Sequence, residues 1–218
     1  MKKLGFTLAE ILISLSIVGV IAALTIPTFT TNTQNQANAA KLSATVSTLE
    51  NAYSAIIVGE EYDDFEVANL YGNYMNPDIL GRYLKGGFGG KGGGATRIYG
   101  TSNPFKTITG EDVDLSSDDS YHYYYQLKSG AVIFGEDHPR NSSAGSLCID
   151  VNGPAGPNKL GRDVFQFSLQ NNGTLRPFGS NHTWATSDSI TSKCKDGDLG
   201  NGSGCTGRLI ENNYKVDY

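Results

Sequence analysis

The sequence predicts an α+β fold, with one long amino-terminal helix packed against an antiparallel sheet. Three observations carry that expectation. A 21-residue apolar run from Phe6 to Ile26 contains one charge, Glu10. Apolar residues then recur at Leu42, Val46, Leu49, Tyr53 and Ile56, the 4, 3, 4, 3 spacing of a single helix face. From Tyr121 onward, short runs rich in aromatic and β-branched residues alternate with Gly, Asn and Asp turns, the pattern of hairpins.

The apolar run spans roughly 32 Å as a helix, which matches the hydrocarbon core of a bilayer. Lys2 and Lys3 form a basic patch before it. Such a patch stays on the cytoplasmic side, which places everything after Pro27 on the far side. An ordinary secretory signal peptide is the competing reading. Against it stand the length of the run, the charge of Glu10 inside it, and the position of the Ala37 to Ala39 pattern well beyond its end. The helix is expected to continue to Val58 and to end at Gly59. The faces between its apolar positions are polar, with Asn38, Lys41, Ser43, Ser47, Glu50 and Asn51. Gly19 and Pro27 weaken it, because glycine costs up to ~1 kcal/mol relative to alanine and proline removes an intrahelical bond. A bend or local melting is expected there.

Residues 59–218 form the expected head. The stretch from Gly59 to Ser120 reads as loop-rich, with Tyr62, Phe65, Val67, Leu70, Tyr71 and Tyr74 in short, partly buried pieces. Gly86 to Gly94 contains a formal G-x-G-x-x-G at Gly87, Gly89 and Gly92. No clear strand precedes it, and Gly92 follows Lys91 where a phosphate loop needs Ser or Thr, so a flexible surface loop is expected. Strands follow at 121–127, 131–134, 146–151, 163–169 and 174–176, with turns at Lys128 to Gly130 and Asn171 to Gly173. Within 163–169, alternation puts Phe165, Phe167 and Leu169 on one face and Val164, Gln166 and Ser168 on the other. The amphipathic half of the helix is the expected cover for the apolar face.

Composition excludes several functions. A net charge of -5 provides no broad electrostatic footprint for nucleic acid. Cys148, Cys194 and Cys205 lack both zinc-finger spacing and a C-x-x-C redox pair. His122, His138 and His182 stand without a serine elbow, H-E-x-x-H or Cys–His signature, so no enzymatic activity is expected. The loop from Asp150 to Asp163 offers Asp150, Asn152, Asn158 and Asp163 as oxygen ligands on a glycine-bent backbone, the chemistry calcium prefers, although it is not an EF-hand. Turn capping by the same side chains is the alternative.

Gly5-Phe6-Thr7-Leu8-Ala9-Glu10 resembles the cleavage motif of type IV pilins and type II secretion pseudopilins. The resemblance implies a leader of residues 1–5, a membrane-spanning segment at 6–26 within a helix of 6–58, and an extracytoplasmic pilin-like head. It implies that a prepilin peptidase cuts after Gly5 and that the new amino terminus, Phe6, is methylated. Glu10 becomes the acidic residue used in assembly, and Gly19 and Pro27 fall where the family has its helix-breaking pair. The segment 150–163 with Val-Phe-Gln-Phe after it resembles a stretch in the heads of some pseudopilin-like proteins. Many pilin heads carry a disulfide-closed C-terminal loop, so the resemblance points to a Cys194–Cys205 bridge, with Cys148 a buried thiol. A bridge closing that glycine-rich loop contributes about 3 kcal/mol in the chain-entropy model. The function so implied is a structural subunit of a type IV pilus-like filament, either a pseudopilin or a pilin, polymerising through its helix. Its implied partners are further copies of itself, other pilins, the peptidase, and an inner-membrane platform with its ATPase. A minor tip subunit that binds an adhesion target, a secreted substrate or DNA is the alternative.

Overall fold

The computed structural model describes residues 6–59, 75–84, 86–101, 103–115, 122–136, 143–170, 172–179, 194, 202 and 204–218. The leader with Gly5, the aromatic residues expected between 62 and 74, and His138 and His182 lie outside these. Helix α1 runs Leu8–Gly59 without interruption, through both Gly19 and Pro27. Helix α2 (Pro77–Tyr83) follows, then strand β1 (Gly87–Lys91), helix α3 (Gly94–Tyr99), and strands β2 (His122–Leu127), β3 (Val132–Glu136) and β4 (Ser143–Asp150). After a single 3-10 turn at Gly153–Ala155 come β5 (Val164–Gln170), β6 (Leu175–Pro177) and helix α4 (Cys205–Glu211). All six strands pair antiparallel in sequence order, so the sheet is a meander.

The register explains the packing. Tyr125, Ile133, Ile149 and Phe165 align across four strands, and Tyr123, Gly135, Leu147 and Phe167 form the next row on the same face. Leu42, Val46, Leu49, Tyr53 and Ile56 of α1 are all buried against this face. Complete burial of each large side chain here is worth roughly 1.5–3 kcal/mol, which is what holds the second half of α1 to the sheet. Glu50 adds a polar tie, its Oε1 accepting the Leu175 N–H at 3.0 Å on the edge strand β6.

The opposite face, which carries Val164, Gln166 and Ser168 as alternation placed them, is also covered. Val164 is fully buried there with Val132, Phe134 and Cys148, under Phe105 and Leu160. Phe105 stacks on Phe134 with ring centroids 4.6 Å apart, and Tyr99 of α3 meets Phe105 edge-on at 5.2 Å. The chain between 94 and 115 is therefore a third layer, laid over the outer face of the sheet.

The glycine-rich stretch expected as a flexible loop instead supplies strand β1. Its glycines are required by the tyrosines of β2. A Cβ on Gly89 would stand 2.7 Å from Tyr125 Cδ2 and 2.8 Å from the backbone oxygen of Tyr124, and one on Gly90 would stand 2.6 Å from Tyr124 Oη. The strand approaches the two rings this closely because neither Gly89 nor Gly90 carries a side chain to keep them away. Gly89→Ala should destabilise the head by about 1–3 kcal/mol through overpacking. Gly81→Ala, in α2 with only ordinary contact 3.7 Å from Tyr125 Oη, should be neutral or stabilise by up to about 1 kcal/mol. Thermal melting of the two variants checks the contrast; equal melts would show that β1 is not held by the tyrosines.

Candidate functional site

The two halves of α1 differ in what surrounds them. From Phe6 to Phe29 every large apolar side chain is exposed, with Phe6 at 85%, Leu24 at 72% and Phe29 at 73%. The most apolar window of the helix has mean hydropathy 2.3 and none of it is buried, so this half is long and apolar enough to cross a membrane. Several of its hydroxyls bond back to the helix. The hydroxyls of Ser14, Ser16, Thr25 and Thr30 donate to the carbonyls of Glu10, Leu12, Ile21 and Ile26 at 2.7–3.0 Å. An apolar medium offers no water to do this, and back-bonding within the helix removes the need.

Glu10 has a local role that the sequence reading missed. Its Oε2 accepts the Thr7 N–H at 2.8 Å and the Thr7 hydroxyl at 2.9 Å, while Thr7 Oγ1 accepts the Glu10 N–H at 3.3 Å. This is a reciprocal capping box, and Thr-x-x-Glu is its sequence signature. The carboxylate thus closes the exposed amino-terminal turn of α1 without any partner chain. Gly19 has nothing within 4 Å of a Cβ built on it, so no packing within the subunit demands glycine there. Pro27 is accommodated inside the helix, and its carbonyl accepts both Thr30 Oγ1 at 2.9 Å and Thr31 Oγ1 at 3.0 Å.

Where α1 enters the head, a loop holds it. Asn38, buried on α1, donates through Nδ2 to the Arg162 carbonyl at 3.2 Å. The loop from Asp150 to Asp163 is built on its two fully buried aspartates. Asp150 Oδ1 accepts the N–H groups of Asn152 and Gly153 at 3.2 and 2.9 Å, and Oδ2 accepts the Tyr99 hydroxyl at 2.7 Å. Asp163 accepts the N–H groups of Asn158 and Lys159 at 2.8 and 2.6 Å. Asn152 Nδ2 donates to the Gly156 carbonyl at 2.7 Å, whereas the Oδ1 atoms of Asn152 and Asn158 are buried with no hydrogen-bond donor. Burial raises the Asp150 carboxyl to about 7, opposed by the Tyr99 hydroxyl and reinforced by the neighbouring Asp163. A folded value above the unfolded one means that this group's stabilisation is complete below about pH 4 and is lost as pH rises toward 7. Burial shifts Asp163 in the same direction.

The same loop meets the carboxyl-terminal region. Cys194 and Cys205 are joined in a disulfide with Cα atoms 4.6 Å apart, and Cys148 is buried in β4 outside it. Gly161 has φ +77°, and a Cβ on it would stand 2.8 Å from Cys205 Sγ. Tyr218 donates its hydroxyl to the Gly161 carbonyl at 2.9 Å, and its ring lies between Arg162 and Arg208, whose guanidinium carbons are 5.5 and 5.7 Å from its centroid. Among the described residues no cluster of three or more His, Cys, Asp or Glu side chains is arranged to hold a metal.

Residues 1–26 match the family model described as the prokaryotic N-terminal methylation motif. The chain carries a prepilin-type amino terminus. That motif is the prepilin-type leader found in type IV pilins and pseudopilins, and it implies processing by a prepilin peptidase. No curated protein and no solved structure matches the chain. The motif ends at residue 26, close to Phe29, the last large apolar side chain before burial begins at Asn38. The helix, the α+β head and the motif together have the architecture of a pilin-like subunit.

Replacing both bridge cysteines by serine should cost about 2–3 kcal/mol of head stability. Because Gly161 and Tyr218 pack on this bridge, hydrogen exchange should accelerate at 158–163 as well as around 205. Acceleration confined to the bridge itself would show that the loop stands independently.

Proposed function

We propose that this protein is a structural subunit of a type IV pilus-like filament, a pseudopilin or pilin that works by polymerising through α1 after its leader is removed. One observation carries the reading: the motif-bearing half of α1 is apolar and exposed, while the other half is the core of the head. An apolar helix of this kind suits a bilayer and a bundle of its own copies alike, with Glu10 the one charge to be accommodated in the transfer. The basic leader favours a cytoplasmic amino terminus, with the head outside the cytoplasm. An assembly platform and its ATPase would drive the transfer. The tip-subunit alternative, with the head as a binding module, differs in stoichiometry, because a tip subunit is rare in the filament and a body subunit is abundant.

Glu10 has a second role in this reading. Once the leader is cut, Phe6 carries a positive amine, and the carboxylate of a neighbouring copy is the opposite charge within an apolar bundle. Filaments sheared from cells should yield a subunit beginning at methylated Phe6 by intact mass. Glu10→Gln keeps the capping box and removes the charge, so it should be cleaved normally, keep its head fold and assemble poorly. A mature start near Asn38 would restore the secretory signal-peptide reading. Normal assembly of the Gln variant would leave helix packing as the sole driving force.

Calcium at Asp150, Asn152, Asn158 and Asp163 is a proposal of the same standing. The two buried Asn oxygens without donors support it, and the aspartate oxygens keep lone pairs beyond those already used. A ligand bound only by the folded state raises its melting temperature. Chelator should therefore lower the melt of the full chain in detergent, and Asp150→Asn should remove that difference. A melt indifferent to calcium would leave the loop as turn capping alone.

A further inference from the structure

The two edges of the sheet, β1 and β6, are of opposite character. At β6 the Gln170 N–H donates to the Thr174 carbonyl at 2.9 Å and the Phe178 N–H to the Gln166 carbonyl at 3.0 Å, with Ser168 opposite Arg176 between them. Thr174, Arg176 and Phe178 therefore face β5, and Leu175 and Pro177 face outward. The Leu175 N–H is taken by Glu50 at 3.0 Å, and Pro177 has no N–H, so this edge offers no donor.

At β1 the same alternation gives the reverse. Both main-chain groups of Leu127 turn toward β3, its N–H donating to the Ala131 carbonyl at 2.8 Å and its carbonyl accepting the Gly130 N–H at 3.0 Å. Gln126 and Tyr124 then point at β1, where they are paired with Phe88 and Gly90. The N–H and C=O groups of Gly87, Gly89 and Lys91 are left facing away from the sheet, and among the described residues none of them has a partner. Gly87 is exposed and Gly89 half-buried. Helices α2 and α3 flank this strand on its two faces, with Pro77 beside Gly89 on the α1 side and Arg97 donating to Tyr124 Oη at 3.5 Å on the other. Phe88 lies on that outer face. Its ring meets Tyr124 edge-on with centroids 6.3 Å apart, yet the residue is 54% exposed. Beyond α1 it is the only exposed large apolar side chain among the described residues.

We propose that β1 receives an extended segment of another protein, which adds a further strand to the sheet and sets a β-branched or aromatic side chain on Phe88. Outward donors and acceptors recurring every second residue, about 6.8 Å apart, are matched by an extended backbone. Main-chain pairing supplies the attraction, and the ring beside it supplies selectivity. The β6 edge of a second copy cannot complete such a ladder, because it has no N–H for the β1 carbonyls. Pairing of β1 with a second β1 is two-fold and closes a dimer, which subunits that all point one way along a filament cannot form. That last exclusion rests on the filament reading, whereas the open edge does not.

The probe is a library of random heptapeptides displayed on phage and selected on the full chain in detergent, with the best binder then synthesised. In the peptide-free protein the amides of Gly87, Gly89 and Lys91 should exchange at least tenfold faster than those of Phe88 and Gly90. Saturating peptide should slow the first set at least tenfold. Lys91→Pro removes an outward donor without touching the ladder to β2, so it should weaken peptide binding at least tenfold with the melting temperature unchanged. Phe88→Ala should weaken it as well. Methylating alternate amides of the peptide should abolish binding to the wild-type chain in one phase and spare it in the other. Slow exchange at Gly87 and Gly89 before peptide is added would show that the protein's own chain closes the edge. Protection that grows with protein concentration alone would make a second copy the occupant. Either result, binding indifferent to the phase of methylation, or a selection with no binder that protects these amides would overturn the proposal.

Discussion

Everything in this protein is arranged around one continuous helix, the 52 residues of α1, whose main-chain ladder lacks only the bond that Pro27 cannot donate. The same helix must be stable where nothing of its own chain covers it and where it is the centre of a folded core. The first condition forbids unsatisfied polar groups, and the capping box at Thr7 and Glu10 and the serine and threonine back-bonds meet it. The second requires a continuous apolar stripe, and Leu42, Val46, Leu49, Tyr53 and Ile56 provide one. The sheet is shaped by that stripe, since its inner face is the aromatic and aliphatic surface that the stripe covers.

The head then solves a narrower problem, which is to grip a rod at a fixed height. Its hold at the entry point is polar, a single bond from Asn38 to a loop carbonyl. A polar grip is only as good as the rigidity of the loop that provides it. Two buried aspartates organise that loop from inside by accepting its N–H groups, and the disulfide and the Tyr218 ring support it from outside. The buried carboxylates are costly when ionised, and the shift of Asp150 toward neutral pH is the physical expression of that cost.

Much of this was legible in the residues. The apolar stripe of α1, the hairpin of β2 and β3, and the alternation of β5 follow from hydrophobic period alone. The length and apolar character of residues 6–26 are read from composition in the same way. What escaped was set by contacts between distant segments. Strand β1 contains three glycines and one aromatic residue, which reads as loop until the tyrosines of β2 are placed over it. Alternation placed Val164 opposite the helix-covered face, and Phe105 and Leu160, brought over from elsewhere, help to bury it there. Glu10 was read for its charge, although the Thr three residues before it already spelled a helix cap. In the candidate site, the sequence identified the aspartates as a group but not what they hold, because their donors are main-chain N–H groups with no signature of their own.

The ties on α1 impose an order of events on a chain that emerges amino terminus first. Asn38 waits for Arg162, 124 residues later, and Glu50 waits for Leu175, 125 residues later. During amino-to-carboxyl delivery the helix therefore emerges long before anything exists to cover its buried stripe. Closing such large loops is slow relative to local helix formation. A chain folding from its amino terminus leaves Leu42, Leu49 and Ile56 uncovered throughout that interval. Arrival of β5 and β6 is then the step that covers the stripe and completes the head.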